Sequence, residues 1–302
     1  MKSIVIGLGI QGKKRKFFAG DDFKFSIDPY EETADFKNLE DVDFDSFECA
    51  FLCVPDECKY EYIKKLVSNG KHVLVEKPLN LTNLELNEIK SLSKQMKSTI
   101  YVAYNHRFEP HWISTKNLLL EKKIGEVYKV NLFYGNGTAE LVKKSEWRDK
   151  GLGVIPDLGS HLFDLVDFWF GLDNYDLEII SANKYENRAY DNAVIKLIGK
   201  PEVILEISLM SWKNSFKAEL IGSEGSIHLD SLCKWGPSQL ILRNRIRPSG
   251  KPDEKITTLV CSDPTWRAEY NYFIETIKNK RLGNLDTNLK ISRLFKKLYE
   301  SL

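Results

Sequence analysis

Over the first hundred residues, five short apolar runs alternate with stretches of helical periodicity, and this alternation leaves few folds open. The runs are Ser3–Ile6, Phe23–Ile27, Cys49–Val54, Val73–Val75 and Ile100–Ala103. Between them, Tyr60–Ser68 carries Tyr62, Ile63 and Leu66 on one helical stripe, and Thr82–Met96 carries Leu84, Leu86, Ile89 and Leu92. Short buried strands alternating with helices read as βαβ units on a parallel sheet. Right-handed crossovers then select an open, doubly wound α/β sheet.

The pattern changes after Asn105. A helix is predicted over Trp112–Lys122, stopping at Gly125. Strands then dominate: Val127–Tyr134, Leu177–Tyr185, Ala193–Ile198, Val203–Met210, Phe216–Ile221, Ser226–Leu229, Leu240–Arg243 and Ile256–Val260. Several alternate polar and apolar residues, as an antiparallel sheet with one covered face requires. A helix at Asp157–Phe170 interrupts them, and helices near Thr265–Lys280 and Asn288–Ser301 close the chain. The expected organisation is a dinucleotide-type domain over residues 1–104 and an α+β domain over residues 105–302. The C-terminal helix is left able to return to the first domain.

A chain of 302 residues can bury two cores without disulfide or metal staples. Its 44 basic and 43 acidic side chains leave a net charge of +1, which speaks against a nucleic-acid-binding or polybasic membrane protein. No apolar run approaches the roughly 18–20 residues of a membrane span. The first residues enter a strand pattern without the apolar stretch of a signal peptide, and the five cysteines are an odd number, so a reducing cytoplasmic setting is expected. Cys49, Cys53 and Cys58 lack the Cys-x2-Cys or histidine partners of a zinc site, and no metal is expected.

Gly7-Leu8-Gly9-Ile10-Gln11-Gly12 fits the pattern G-x-G-x-x-G, between a predicted strand and a predicted helix. The first glycine permits a tight turn, the second lets the backbone approach a pyrophosphate, and the third lets helix and strand pack closely. Gly7, Gly9, Ile10, Gln11 and Gly12 are therefore candidate cofactor contacts, with the pyrophosphate on the helix N-terminus. Asp28 ends the second strand 19 positions after Gly9, the offset of an acid that binds ribose hydroxyls. A carboxylate there repels a 2′-phosphate, which favours NAD. The run Lys13-Lys14-Arg15-Lys16 leaves NADP open as the alternative, although it reads more readily as a solvated helix face.

Three further segments join the glycine turn: Glu76-Lys77-Pro78, Tyr104-Asn105-His106-Arg107-Phe108, and Gly151-Leu152-Gly153-Val154-Ile155-Pro156-Asp157-Leu158-Gly159-Ser160-His161-Leu162-Phe163-Asp164. Together they resemble the Gfo/Idh/MocA family, the glucose–fructose oxidoreductase and inositol dehydrogenase group, nearly from end to end. The resemblance implies an N-terminal Rossmann domain and a C-terminal α/β domain with an open, mainly antiparallel sheet. It implies a nicotinamide cofactor and sugar or cyclitol substrates, and by motif match it makes Lys77, Asp157 and His161 the catalytic group. Pro55 resembles the family's loop on the nicotinamide side of the cofactor. Three features depart from the family pattern: the glycine triplet before Asp157 is Gly151-Leu152-Gly153, Lys59 stands where a histidine is common, and the histidine frequent early in the first helix is missing.

The chemistry suits these residue types. Alcohol oxidation needs a hydride acceptor and a side chain that takes the hydroxyl proton. Lys77 follows an apolar strand, at the strand end where ligands meet a doubly wound sheet. Glu76 can pair with a cation or a ribose hydroxyl. Asp157 and His161, four apart on a predicted helix, share a face. They can bind two substrate hydroxyls, or His161 can act as the base; Lys77 and His161 both stay open for that role. Asp164 continues the same face and reads as structural. Asn105, Arg107, Trp147 and Arg148 are candidate substrate contacts, an ion pair being an equal reading for Arg107 and surface packing the stronger one for the Trp-Arg pair. The expected activity is an NAD(P)-dependent oxidoreductase acting on a ring carbon of a sugar, nucleotide sugar or cyclitol, in a homo-oligomeric dimer or tetramer. Two rivals remain: a non-enzymatic nicotinamide-binding regulator, and an enzyme that uses NAD transiently for elimination, hydrolysis or epimerisation.

Overall fold

Strand β1 (Ser3–Ile6) is buried at all four positions, as a strand covered on both faces of a parallel sheet must be. The computed structural model describes residues 1–146 and 148–302. After β1 come α1 (Ile10–Ala19), β2 (Phe23–Ile27), β3 (Cys49–Leu52), α2 (Asp56–Ser68), β4 (His72–Glu76), α3 (Asn83–Met96) and β5 (Ile100–Ala103). Then follow α4 (Pro110–Leu120), β6 (Val127–Gly135), α5 (Ala139–Lys143), α6 (Ser160–Phe170), β7 (Asp176–Asn183), β8 (Asn192–Ile198) and β9 (Glu202–Ser208). The chain ends with β10 (Ser215–Gly222), β11 (Gly225–Asp230), β12 (Ser238–Asn244), β13 (Asp253–Leu259), α7 (Thr265–Lys278) and α8 (Leu285–Ser301).

The chain divides into two compact units, Met1–Asn105 with Trp266–Ser292, and His106–Thr265 with Arg293–Leu302. The first holds a five-stranded parallel sheet in the order β2-β1-β3-β4-β5. Strand order reverses between β1 and β3, and at such a switch point ligands bind beyond the carboxyl ends of the strands. Helix α3 starts on a capping box in which Thr82 and Glu85 satisfy each other's backbone N–H groups. The late segment belongs here because its side chains are apolar where the sheet needs cover: Tyr270, Phe273, Ile274 and Ile277 of α7 share one buried cluster with Val5, Phe51, Leu74 and Tyr101. Residues beyond α7 also guard the edge strand β5, where Asn284 takes the Val102 N–H at 2.7 Å and returns a bond to its carbonyl at 2.9 Å.

The second unit holds an eight-stranded sheet in the order β13-β12-β11-β10-β6-β9-β8-β7. Every pairing is antiparallel except β6 with β9. Alternation sends Val130, Leu132, Val203, Leu205, Ile207, Phe216 and Leu220 to a buried face. The residues before α6 press on that face so closely that a Cβ on Gly159 would stand 2.8 Å from the Ile207 side chain. The predicted helix over 157–170 is regular only from Ser160. Ile155–Gly159 forms a π-helical turn, a local widening that sequence periodicity does not signal and that often accompanies functional sites.

Candidate active site

In the first unit the glycine turn sits at the switch point. Gly7 has φ +90°, and a Cβ there would lie 2.4 Å from the Cys53 carbonyl oxygen at the end of the neighbouring β3. A Cβ on Gly12 would lie 1.8 Å from the Gly7 carbonyl oxygen. Gly9 differs: nothing lies within 4 Å of its missing Cβ. Two glycines thus allow backbone to touch backbone, while the third leaves open space before the first turn of α1, where a pyrophosphate would approach. The residues present therefore fit a dinucleotide. Ile10 and Gln11 open the helix, and Ile10 is exposed.

Asp28 closes the turn from β2. Its Oδ2 accepts the Leu8 N–H at 2.7 Å, and its Oδ1 accepts from Tyr30 and Glu31 at 2.9 and 3.0 Å. Burial works against its charge, but these three amides hold the carboxyl below the usual carboxylate range. The basic run is not one solvated face. Lys13 pairs with Glu31, whereas Arg15 is buried between Glu76 at 2.7 Å and Glu269 at 2.6 Å. Burial opposes the guanidinium charge, and the two carboxylates hold it in place.

Lys77 stands just past β4 on a loop fastened at several points. Lys59, on α2, is buried and its Nζ donates to Asp56 Oδ1 at 2.6 Å, to the Glu76 carbonyl at 2.7 Å and to the Pro78 carbonyl at 2.6 Å. An ammonium has three donors, and here each meets an acceptor, which is what allows its burial. Asn288 donates to the Leu79 carbonyl at 3.1 Å. The Glu76 side chain is held by Arg15, so its carboxylate is committed to a cation within the protein. Pro55, exposed, directly precedes α2.

In the second unit Asp157 lies in the π-helical turn and accepts from Arg148 Nη2 at 3.0 Å, with both side chains about one-third exposed. His161, one turn later, is buried, and its Nδ1 stands 2.8 Å from Nδ1 of His106. The Nε2 of His106 in turn lies 2.7 Å from Lys234 Nζ. Asn105 and Arg107 belong to the short helical turn Asn105–Phe108. Asn105 is buried, and Arg107 bonds Asp164 at 2.8 Å and Asp167 at 3.1 Å within the second unit. Burial pushes the Asp164 carboxyl up to about 6, against the pull of Arg107. Trp147 lies outside the described residues. Gly153, with φ +54°, packs against the Tyr190 backbone and sets the turn that delivers Asp157.

Sequence reasoning gave Lys59 only as a departure from a pattern, and did not single out His106 or Lys234. Their partners lie far along the chain, and no spacing signals them. Burial pushes the Cys49 and Cys53 thiols up, away from thiolate chemistry. Among the described residues no group of three or more His, Cys, Asp or Glu could hold a metal ion. No helix among them is long and apolar enough to cross a membrane.

A parallel sheet with a glycine turn at its switch point and an acid at the end of the next strand defines a dinucleotide-binding α/β protein. Residues 4–104 match the model of an oxidoreductase family with an NAD-binding Rossmann fold, and residues 112–228 match the GFO/IDH/MocA C-terminal domain. The chain belongs to the GFO/IDH/MocA oxidoreductase family. It is 28% identical over 144 residues to glucose-6-phosphate 3-dehydrogenase of Bacillus subtilis, covering 45% of this chain and 41% of that protein. It is 28% identical over 229 residues to the NAD(+)-dependent scyllo-inositol 2-dehydrogenase of the same organism, covering 69% and 60%. The chain thus spans less than two thirds of the length of either relative. A levoglucosan dehydrogenase solved in complex with NADH has the same fold, with a TM-score of 0.84 at 15% identity over 100% of this chain and 97% of that one.

Proposed function

We propose that this protein is an NAD(H)-dependent dehydrogenase that interconverts a hydroxyl and a ketone on a ring carbon of a sugar, nucleotide sugar or cyclitol. The observation that carries the reading is the fastening of Lys77: its loop is gripped on both sides by Lys59, at the strand ends of a sheet whose glycine turn has open space at Gly9. A lysine left for the surface would not need its two neighbours fixed by a buried ammonium. The relatives named above, which act on glucose 6-phosphate and scyllo-inositol, support a polyhydroxylated ring as substrate.

When bound, the nicotinamide supplies the hydride chemistry. The backbone N–H groups opening α1 would hold the pyrophosphate, and Asp28 would accept from the ribose hydroxyls. Pro55 and Glu76 would border the nicotinamide end. Lys77 and His161 handle the hydroxyl proton, and either can serve as its base in oxidation. Asp157, paired with Arg148, orients the hydroxyls, with Asn105 and Arg107 as further candidate substrate contacts. NAD rather than NADP, a cytoplasmic setting and a homo-oligomeric state belong to the same proposal.

The test is a panel of sugars, sugar phosphates and cyclitols assayed for NADH formation, with Lys77→Met beside the wild type. Turnover on a polyol that falls about 10²–10⁴-fold in the variant, with NADH affinity unchanged, is the expected result. Tight NADH binding with no turnover on any polyol points instead to a regulator. Cofactor cycling without net NADH points to elimination, hydrolysis or epimerisation.

A further inference from the structure

We propose that Lys234, His106 and His161 form a proton wire that decides which nitrogen of His161 carries its proton and replenishes that proton during ketone reduction. The catalytic half rests on the dehydrogenase reading above; the hydrogen-bond assignment does not.

Lys234 sets the direction of every proton along this chain. Its ammonium has donors and no lone pair, so at 2.7 Å from His106 Nε2 it must donate and Nε2 must accept. A neutral His106 then carries its proton on Nδ1. That nitrogen faces His161 Nδ1 at 2.8 Å, so His161 accepts there and carries its own proton on Nε2. Both rings are buried, and His106 is packed between Trp112, stacked at 5.6 Å, and Tyr134, edge-on at 5.8 Å, which limits ring flips. A charged His161 would set two N–H groups against each other across the 2.8 Å contact. With Lys234 charged, His161 is therefore neutral and presents an N–H. In that state it can donate a proton to a carbonyl oxygen and cannot take one from a hydroxyl.

The carbonyl carbon would take its electron pair with the hydride that a reduced nicotinamide supplies when bound. The carbonyl oxygen receives the His161 Nε2 proton, the His106 Nδ1 proton moves to His161 Nδ1, and one Lys234 proton moves to His106 Nε2. Lys234 ends as a neutral amine and His161 as a base at Nε2, the starting state for oxidation in reverse. The charged and titratable groups around the wire are Glu109, whose carboxyl holds the Cys233 N–H and thiol, Asp263, Asp157, Arg107 with Asp164, and the Tyr134 hydroxyl. Burial keeps the Tyr134 and Cys233 groups protonated, so neither competes for the moving proton.

Long-range proton–nitrogen NMR spectra of protein labelled in its histidines test the assignment without any substrate. At neutral pH, His106 is expected protonated on Nδ1 and His161 on Nε2. In Lys234→Met, His106 should revert toward Nε2 protonation, its intrinsically favoured form. Wild-type His106 protonated on Nε2, or a charged His161, overturns the proposal. The kinetic arm uses Lys234→Arg, which keeps a donor but holds its proton at any working pH. Its histidine tautomers and NADH binding should match the wild type while kcat for ketone reduction falls at least tenfold. A Lys234→Arg enzyme with wild-type kcat overturns proton delivery. If the tautomers are as stated and no polyol or ketone turns over, the dehydrogenase reading fails, and the wire's catalytic role with it.

Discussion

The ammonium of Lys59 donates to the carbonyl oxygen of Pro78 at 2.6 Å, and so holds the residue that follows Lys77. The same nitrogen holds the carbonyl that precedes it at 2.7 Å. Lys59→Met keeps most of the buried volume and removes the donor that both carbonyls share. A buried polar group that loses its partner costs about 1–3 kcal/mol, so a loss of about 2–3 kcal/mol in urea unfolding is expected. Because the loop carries Lys77, kcat should fall more than KM rises. A variant with wild-type stability and turnover would show that the clamp holds nothing that matters.

The glycines of the turn should separate folding from binding. Gly12→Ala sets a Cβ 1.8 Å from a backbone oxygen and must push α1 away from β1, lowering the unfolding midpoint. Gly9→Ala meets nothing within 4 Å and should leave the midpoint unchanged while weakening NADH binding, because the new methyl enters the space left for the pyrophosphate. Fluorescence titration and thermal unfolding of both variants make the comparison. Equal effects on both properties in the two variants would contradict it.

Arg107 and Asp164 make a pH-dependent prediction. The Asp164 carboxyl stands at about 6 in the folded protein against an ordinary 3.8, raised by burial. The folded state therefore holds this proton more tightly than the unfolded chain, and the group's contribution to stability is full below about pH 4 and lost as pH rises through about 6. Arg107→Met removes the cation that limits this shift, so the folded value climbs and the loss continues above pH 6. Denaturant curves should show the variant much less stable than wild type at pH 8, by about 3–5 kcal/mol, and closer to it at pH 5. The same deficit at both pH values would argue that Asp164 does not titrate in this window.

Cofactor choice turns on Asp28. Wild type should bind NADH more tightly than NADPH. Asp28→Ala should lose NADH affinity by roughly tenfold or more, the scale of one charge-assisted hydrogen bond, and narrow the gap to NADPH. Tighter NADPH binding by the wild type would move the assignment to Lys13, Lys14 and Lys16.

What could be read from the sequence was local. The Gly7–Gly12 turn, the acid at Asp28 and the strand–helix alternation depend on neighbours within a few tens of residues. Arg15 sat unnoticed inside a basic run because its partner Glu269 is 254 positions away, and no pattern links the two. Lys234 and His106 are 128 positions apart and meet only through sheet and turn geometry. The spacing of Asp157 and His161 was legible, but the π-helical turn that leaves one partly exposed and the other buried was not, because it depends on how Gly153 and Gly159 pack.

The cluster that joins α7 to β1, β3, β4 and β5 has a consequence for biosynthesis. A chain leaves the ribosome from its N-terminus, and domains tend to fold as they emerge. Here Val5, Phe51, Leu74 and Tyr101 are made early, but Tyr270, Phe273 and Ile277, which cover them, come after nearly all of the second unit has been made. The first sheet therefore emerges with one apolar side uncovered and keeps it so through most of translation. During that interval the nascent protein is a natural client for chaperones, and a fragment cut after Asn105 should aggregate unless residues 266–292 are supplied with it.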